Sequence, residues 1–159
     1  MQPAPMKIGM YFYRRMMTSK SDPVVVTVAP GWISVVAIGH VILAAPAQHL
    51  QVKVGKASGT VTLIGPQGKV ILAGLGSPTA PLHSPEQVME VQAAQQIAAR
   101  DPQASQLELG RMVWVSRQHQ ADGTKGGSLA SAAAGDAGEQ RRLGGIVRDA
   151  MVAAGVQPA

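Results

Sequence analysis

Residues 24–76 read VVVTVAPGWISVVAIGHVILAAPAQHLQVKVGKASGTVTLIGPQGKVILAGLG, a series of short apolar segments that Gly or Pro interrupts every eight to ten residues. β-Branched side chains dominate the segments, as is typical of residues that pack on a pleated sheet. Apolar and polar residues alternate in Leu50–Val54 and Thr60–Leu63, with the period of a strand that has one solvated face. We therefore predict a small antiparallel sheet. Its strands cover Val24–Val28, Trp32–Val36, Val41–Leu43, Leu50–Val54, Thr60–Ile64 and Lys69–Leu72.

The last two of these segments are separated by the sequence Gly65-Pro66-Gln67-Gly68. Pro66 has the φ that the first corner of a tight turn needs, and Gly68 accepts a positive φ without strain. The spacing therefore predicts a hairpin of Thr60–Ile64 with Lys69–Leu72.

A second interpretation of the front of this stretch is a membrane or export segment. Val24–Ala45 has no charged residue over 22 positions, which is long enough for a transmembrane helix, and Arg14 and Arg15 precede it. Ala45-Pro46-Ala47 also resembles the cleavage site of an export signal. Because Pro and Gly interrupt the stretch and Val and Ile outnumber Leu, we favour the sheet. The alternative is an exported or membrane-anchored protein with residues 14–47 as signal or anchor.

The composition fits one globular domain with a core of aliphatic side chains. Hydrophobic residues make up 46% of the 159 residues, but aromatic residues make up only 3%. The chain has no Cys, which excludes a disulfide framework, thiolate metal sites and a cysteine nucleophile. This is compatible with the cytoplasm, which is the localisation that we expect, with export or membrane association as the alternative.

The net charge of +5 is unevenly distributed, because residues 24–76 contain three lysines and no acidic residue. Such a charge attracts polyanions, either nucleic acid or anionic lipid at a membrane. Base stacking requires aromatic residues among the lysines, and none is interleaved with them, so we favour lysines that hinder pairing of strand edges. A basic nucleic-acid-binding protein remains an alternative. Its contact residues would be Arg14, Arg15, Lys53, Lys56 and Lys69.

The clearest helix signal follows a Pro-rich connector. Ser84 is suited to the N-cap and Pro85 to the first helical position, while Gln87 completes a capping box with Ser84. The pair Asp101-Pro102 then ends the helix. The pattern predicts a helix over residues 84–100 that caps the sheet.

Three segments follow this helix. Leu107–Arg117 is ambiguous between strand and helix, and Met112–Val115 favours a strand. Residues 119–138 are rich in Gly, Ala and Ser and predict a flexible linker. Residues 139–155 then form a predicted amphipathic helix with Gly155 at the C′ position.

One apolar stripe of this C-terminal helix is interpreted as a docking surface for a protein partner, because a long linker precedes it. Deleting Gln140–Ala159 should then leave the fold intact and abolish partner capture. The alternative is a helix that folds back on its own sheet. The stripe consists of Leu143, Ile146, Val147, Ala150 and Met151.

The residues that carry chemistry form no catalytic or metal-binding pattern. No acidic residue lies between Pro23 and Pro85, which excludes a pair of carboxylates within the sheet. The histidines lack the spacing of metal ligands, and we interpret each one as a turn or surface residue. We accordingly expect no catalytic residue, no cofactor, no metal and no enzymatic activity. The four histidines are His40, His49, His83 and His119.

Taken together, these patterns predict an α+β fold: a small antiparallel β-sheet or partly open barrel capped by one helix, with a flexible linker and a C-terminal amphipathic helix. Residues 1–22 would form an N-terminal arm, although Lys7–Arg15 is also compatible with a first strand. The β-rich domain would cover residues 23–118.

Several short strands followed by one capped helix, over roughly Val24–Arg100, resemble a pleckstrin-homology-like domain. The chain is also similar to small actinobacterial proteins rich in Ala, Gly and Val. The resemblance implies a partly open barrel of about seven strands. It also implies a non-enzymatic protein-interaction or scaffolding module that acts as a component of a larger assembly.

Overall fold

The computed structural model describes residues 5–14, 21–74, 81, 83–100 and 137–159. This part of the chain has an α+β fold, with an open, mostly antiparallel sheet of eight strands and two helices. The strands are β1 Met6–Tyr13, β2 Asp22–Ala29, β3 Trp32–Ala37, β4 His40–Pro46, β5 Gln51–Val54, β6 Val61–Gly65, β7 Gly68–Ala73 and β8 Gln157–Pro158. The helices are α1 Pro85–Ala99 and α2 Ala137–Ala153, and a 3₁₀ turn spans Ala47–His49.

The strands predicted between Val24 and Leu72 are confirmed as β2 to β7. The predicted hairpin is also confirmed, because β6 and β7 pair antiparallel and Gly68 has a φ of 128° in the turn. The uncharged stretch Val24–Ala45 forms β2, β3 and β4, so the transmembrane-helix interpretation is wrong. In the described part of the chain, neither helix has the length and apolar character needed to span a membrane.

The two middle strands of the sheet are β1 and β7, in the order β4-β3-β2-β1-β7-β6-β5-β8, and β1 joins its two halves. It pairs with β2 from Met6 to Phe12 and with β7 from Tyr11 to Tyr13. Residues Met6–Tyr13 therefore belong to the sheet and not to a separate N-terminal arm. Their alternation explains this, since Met6, Ile8 and Met10 are buried on one face.

The hydrophobic core lies on that same face of the sheet. Buried side chains from β1, β2, β3, β5, β6 and β7 form one cluster. Leu143, Val147 and Met151 of α2 and Val156 beyond it belong to the same cluster. The core is therefore built between the sheet and the C-terminal part of the chain.

The other helix, α1, packs on the opposite face of the sheet. Val91 of α1 forms a small cluster with Val25, which alternates with the core residues of β2. The side-chain Nε2 of Gln87 donates a hydrogen bond to the Pro23 carbonyl oxygen at 3.0 Å, and Lys7 forms an ion pair with Glu90. These contacts fix α1 over β1 and β2.

The capping box predicted at the start of α1 is confirmed. The backbone N–H of Ser84 donates to Oε1 of Gln87 at 2.9 Å, and the backbone N–H of Gln87 donates to Oγ of Ser84 at 3.1 Å.

The end of α2 is a Schellman motif, as the position of Gly155 predicted. Gly155 has a φ of 116° and donates to the Val152 carbonyl oxygen at 3.0 Å, while Val156 donates to the Met151 carbonyl oxygen at 3.0 Å. The chain then runs parallel to β5 as β8.

The strand predicted at Met112–Val115 lies outside the described residues, as does the predicted linker from residue 119 to residue 136. The last two residues assigned to the linker begin α2, which starts at Ala137.

Candidate functional site

The two edges of the sheet differ in how they are covered. The β5 edge is covered by β8. The backbone N–H of Gln157 donates to the Leu50 carbonyl oxygen at 3.0 Å, and the backbone N–H of Ala159 donates to the Val52 carbonyl oxygen at 2.9 Å. At the opposite edge, β4 pairs only with β3 among the strands that the structure describes. One side of β4 therefore has no strand from the described part of the chain paired to its backbone.

The β4 strand lacks the charged side chains that usually protect an edge from pairing. It has seven residues, none of them acidic, Lys or Arg, and Val41 is 60% exposed. Val35 of β3 pairs with Leu43, and the next residue of β3, Val36, pairs with Val41. Ile42 is therefore left without a cross-strand partner and forms a bulge in the strand. Ile42 and Leu43 are both half-buried as a result.

A groove of about 610 Å³ runs beside β4. One wall is β4 itself, and the opposite wall is the β6–β7 hairpin turn. Most of the residues that line the groove are apolar, which suits a site that recognises apolar groups. The residues of this β4 groove are Phe12, Val41–Ala45, His49, Leu50 and Gly65–Val70.

Lys69 and His49 are the basic or imidazole residues that line the β4 groove among the described residues, and both are exposed. Among the described residues, none of those that line the groove is acidic. The groove therefore combines apolar walls with a positive charge at its rim.

The sheet brings together two of the basic residues predicted to contact polyanions. Lys53 pairs across strands with Thr62, and Lys69 pairs with Ile64, which places both lysines on one face of β5, β6 and β7. Lys56 lies in the turn after β5.

Of the other predicted basic contacts, Arg14 is exposed at the end of β1, and Arg15 lies outside the described residues. Arg141 of α2 also reaches the turn after β5, where its Nη1 donates to the Ala57 carbonyl oxygen at 3.4 Å. Sequence spacing did not indicate this approach, because Ala57 and Arg141 are 84 residues apart.

The predicted docking stripe of α2 is covered by the chain itself. Leu143, Val147 and Met151 are 5% exposed or less, and Ile146 and Ala150 pack against the same core. In this structure three of the five stripe residues are buried, and Ile146 and Ala150 are partly buried. The stripe contacts the sheet in the way that the alternative interpretation described.

His83 is buried, so the interpretation of every histidine as a turn or surface residue is wrong for this one. Its Nε2 lies 3.0 Å from the Met10 carbonyl oxygen and 3.2 Å from the Val24 carbonyl oxygen. Because carbonyl oxygens only accept, Nε2 carries the proton of the neutral ring. Burial lowers the pKa of His83 from 6.5 to about 4, although the two backbone hydrogen bonds oppose this shift.

Tyr11 packs edge-on against the His83 ring, with 5.0 Å between the ring centroids. Its hydroxyl donates to the Pro81 carbonyl oxygen at 3.2 Å, and burial raises the pKa of the phenol. These contacts attach the segment before α1 to the sheet. A group of three or more His, Cys, Asp or Glu side chains able to hold a metal ion is not found among the described residues.

Comparison with protein families, with curated proteins and with solved structures finds no significant match to this chain.

Proposed function

We propose that this chain is a non-enzymatic protein-interaction module that binds an extended segment of a partner protein along β4. The observation that carries this proposal is the uncharged edge of β4, which no other described strand covers, beside a groove lined mostly by apolar residues. An extended segment would pair with the free backbone of β4 as an additional strand, which is a common mode of peptide recognition.

The dimensions of the β4 groove support this mode of binding. Its volume of about 610 Å³ falls within the range of roughly 300–1,000 Å³ that is usual for ligand sites. Alternate side chains of an added strand would point toward the groove and meet Leu43, Leu50 and Val70. Backbone pairing would contribute affinity, and these apolar contacts would contribute selectivity.

We extend this proposal to the type of fold and to the roles of the two helices. The seven consecutive strands β1 to β7 support the resemblance to a pleckstrin-homology-like domain. We assign α1 as the helix that caps the sheet, on the evidence of Val91 and Gln87, and α2 as an amphipathic helix whose apolar stripe completes the core.

The test begins with a display library of random peptides long enough to pair with the seven residues of β4. Peptides selected on the full chain are then measured by fluorescence anisotropy against two variants, Val41→Lys and Met89→Lys. Val41 lies on β4 at 60% exposure, and Met89 lies on α1 at 67% exposure, so each variant adds one positive charge at an exposed apolar position.

We expect Val41→Lys to weaken binding by about tenfold, since a lysine on an edge strand hinders pairing. Met89→Lys should bind as the parent chain does. Methylating alternate amide nitrogens of a selected peptide should abolish binding, because the peptide then loses donors for strand pairing. Equal binding by all three proteins would contradict the proposal.

A further inference from the structure

We propose that the segment bound in the β4 groove carries an acidic side chain that Lys69 and His49 contact. This inference rests on the proposed function and defines the chemistry of the partner. It is an extended protein segment with apolar side chains along most of its length and a carboxylate at one end.

The two groups that would meet the carboxylate lie at the same end of the groove. Lys69 pairs with Ile64, which precedes Gly65. A Cβ atom at Gly65 would lie 2.9 Å from Cδ2 of Leu50, so this turn contacts the residue that follows His49. His49 ends the 3₁₀ turn that follows β4, so both residues lie toward the Pro46 end of the strand.

The charge balance at this end favours an anion. Lys69 is exposed and forms no ion pair with another residue in the part of the chain that the structure describes. The described residues that line the groove include no Asp or Glu that would compete with a ligand for Lys69. A partner segment with Lys or Arg at this end would place like charges together, whereas Asp or Glu would form a new ion pair.

The position of the acid also reports the direction of the bound segment. The chain direction of β4 runs from His40 to Pro46. An antiparallel segment would have its N-terminal end beside Pro46, and a parallel segment would have its C-terminal end there. The acid should therefore recur near one end of the bound peptides, and which end it is identifies the pairing.

The experiment uses the same random peptide library on the full chain and on two charge-reversal variants, Lys69→Glu and Lys56→Glu. Both lysines are exposed, but Lys56 lies in the turn after β5 and does not line the groove. The two variants therefore change the net charge by the same amount and differ in whether the substituted residue lines the groove. Circular dichroism of all three proteins establishes that each one is folded.

Peptides selected on the parent chain and on Lys56→Glu should be enriched in Asp or Glu at one end. Peptides selected on Lys69→Glu should be enriched in Lys or Arg at that end. Replacing the acid of a selected peptide by its amide should weaken binding to the parent chain by about threefold to tenfold, with a smaller effect at high salt. The same replacement should not weaken binding to Lys69→Glu.

The two proposals fail in different ways. Selected peptides that lose affinity in Val41→Lys but show no preference for acids would overturn this inference and leave the proposed function standing. Peptides whose binding is unaffected by Val41→Lys, or a library that yields no binding peptide, would overturn both.

Discussion

The His83 ring shows how packing changes the chemistry of one residue. Its Nε2–H lies between two backbone carbonyl oxygens, and only 7% of the residue is exposed. A proton added to Nδ1 would place a positive charge in this buried position. The pKa of His83 is therefore about 4, whereas the unfolded chain has the ordinary value of 6.5.

This difference predicts that the protein loses stability between pH 6.5 and pH 4. In that range the unfolded state binds more protons at His83 than the folded state, so the free energy of unfolding falls as the pH falls. The shift corresponds to about 3 kcal/mol by pH 4. Urea denaturation at a series of pH values measures it.

The control for this prediction is His83→Gln, whose amide can donate to the same carbonyl oxygens but does not titrate. The variant should be less stable at pH 7 and should show a shallower loss of stability between pH 6.5 and pH 4. Parallel pH profiles for the two proteins would show that His83 does not cause the loss.

The contrast between Ser84 and His83 explains which contacts of a residue a sequence can indicate. The capping box of Ser84 and Gln87 was predictable because it involves residues three positions apart. The burial of His83 depends on Met10 and Val24, which are 73 and 59 residues away. A local pattern contains no information about such contacts.

Among the helices, α2 shows why two neighbouring glycines can have opposite roles. Propensity alone predicts that Gly144 and Gly145 each weaken the helix by about 1 kcal/mol relative to Ala. In the structure, a Cβ atom at Gly144 would overlap the carbonyl oxygen of Gly59, whereas a Cβ atom at Gly145 would have no neighbour within 4 Å. Gly144 therefore allows α2 to approach the turn after β5.

We expect Gly144→Ala to lower the free energy of unfolding by about 1–3 kcal/mol, because backbone must move to accept the methyl group. Gly145→Ala should raise it by about 0.5–1 kcal/mol through helix propensity. Thermal or urea denaturation of the two variants beside the parent chain measures both changes. Destabilisation of similar size in both variants would contradict the close approach of α2 to Gly59.

The elements of the sheet were predictable to different degrees. The strands β2 to β7 were found because β-branched segments alternate with Gly and Pro. The short strand β8 was not, since Gln157 and Pro158 have no strand preference of their own. Its pairing follows from Gly155, which turns the chain toward β5 after α2. The position of β4 at the end of the described sheet could not be inferred either, because it depends on the order of the strands.

The C-terminal region contributes side chains to the hydrophobic core, whereas the sequence predicted a tethered docking helix. The sequence predicted that deleting Gln140–Ala159 leaves the fold intact. The structure places Leu143, Val147, Met151 and Val156 in the core cluster, each 5% exposed or less. Burying such side chains contributes about 1.5–3 kcal/mol each, and their sum approaches the total stability of a typical domain, about 5–15 kcal/mol.

A chain ending at residue 136 should therefore lose cooperative unfolding and bind a dye for exposed apolar surface. A chain ending at Val156 is the matched control, because it loses β8 but keeps the four buried side chains. It should remain folded with a lower melting temperature, since only the edge of β5 is uncovered. Cooperative melting of the shorter chain would instead mean that the sheet folds without α2, and the stripe from Leu143 to Met151 would again be a candidate surface for a partner.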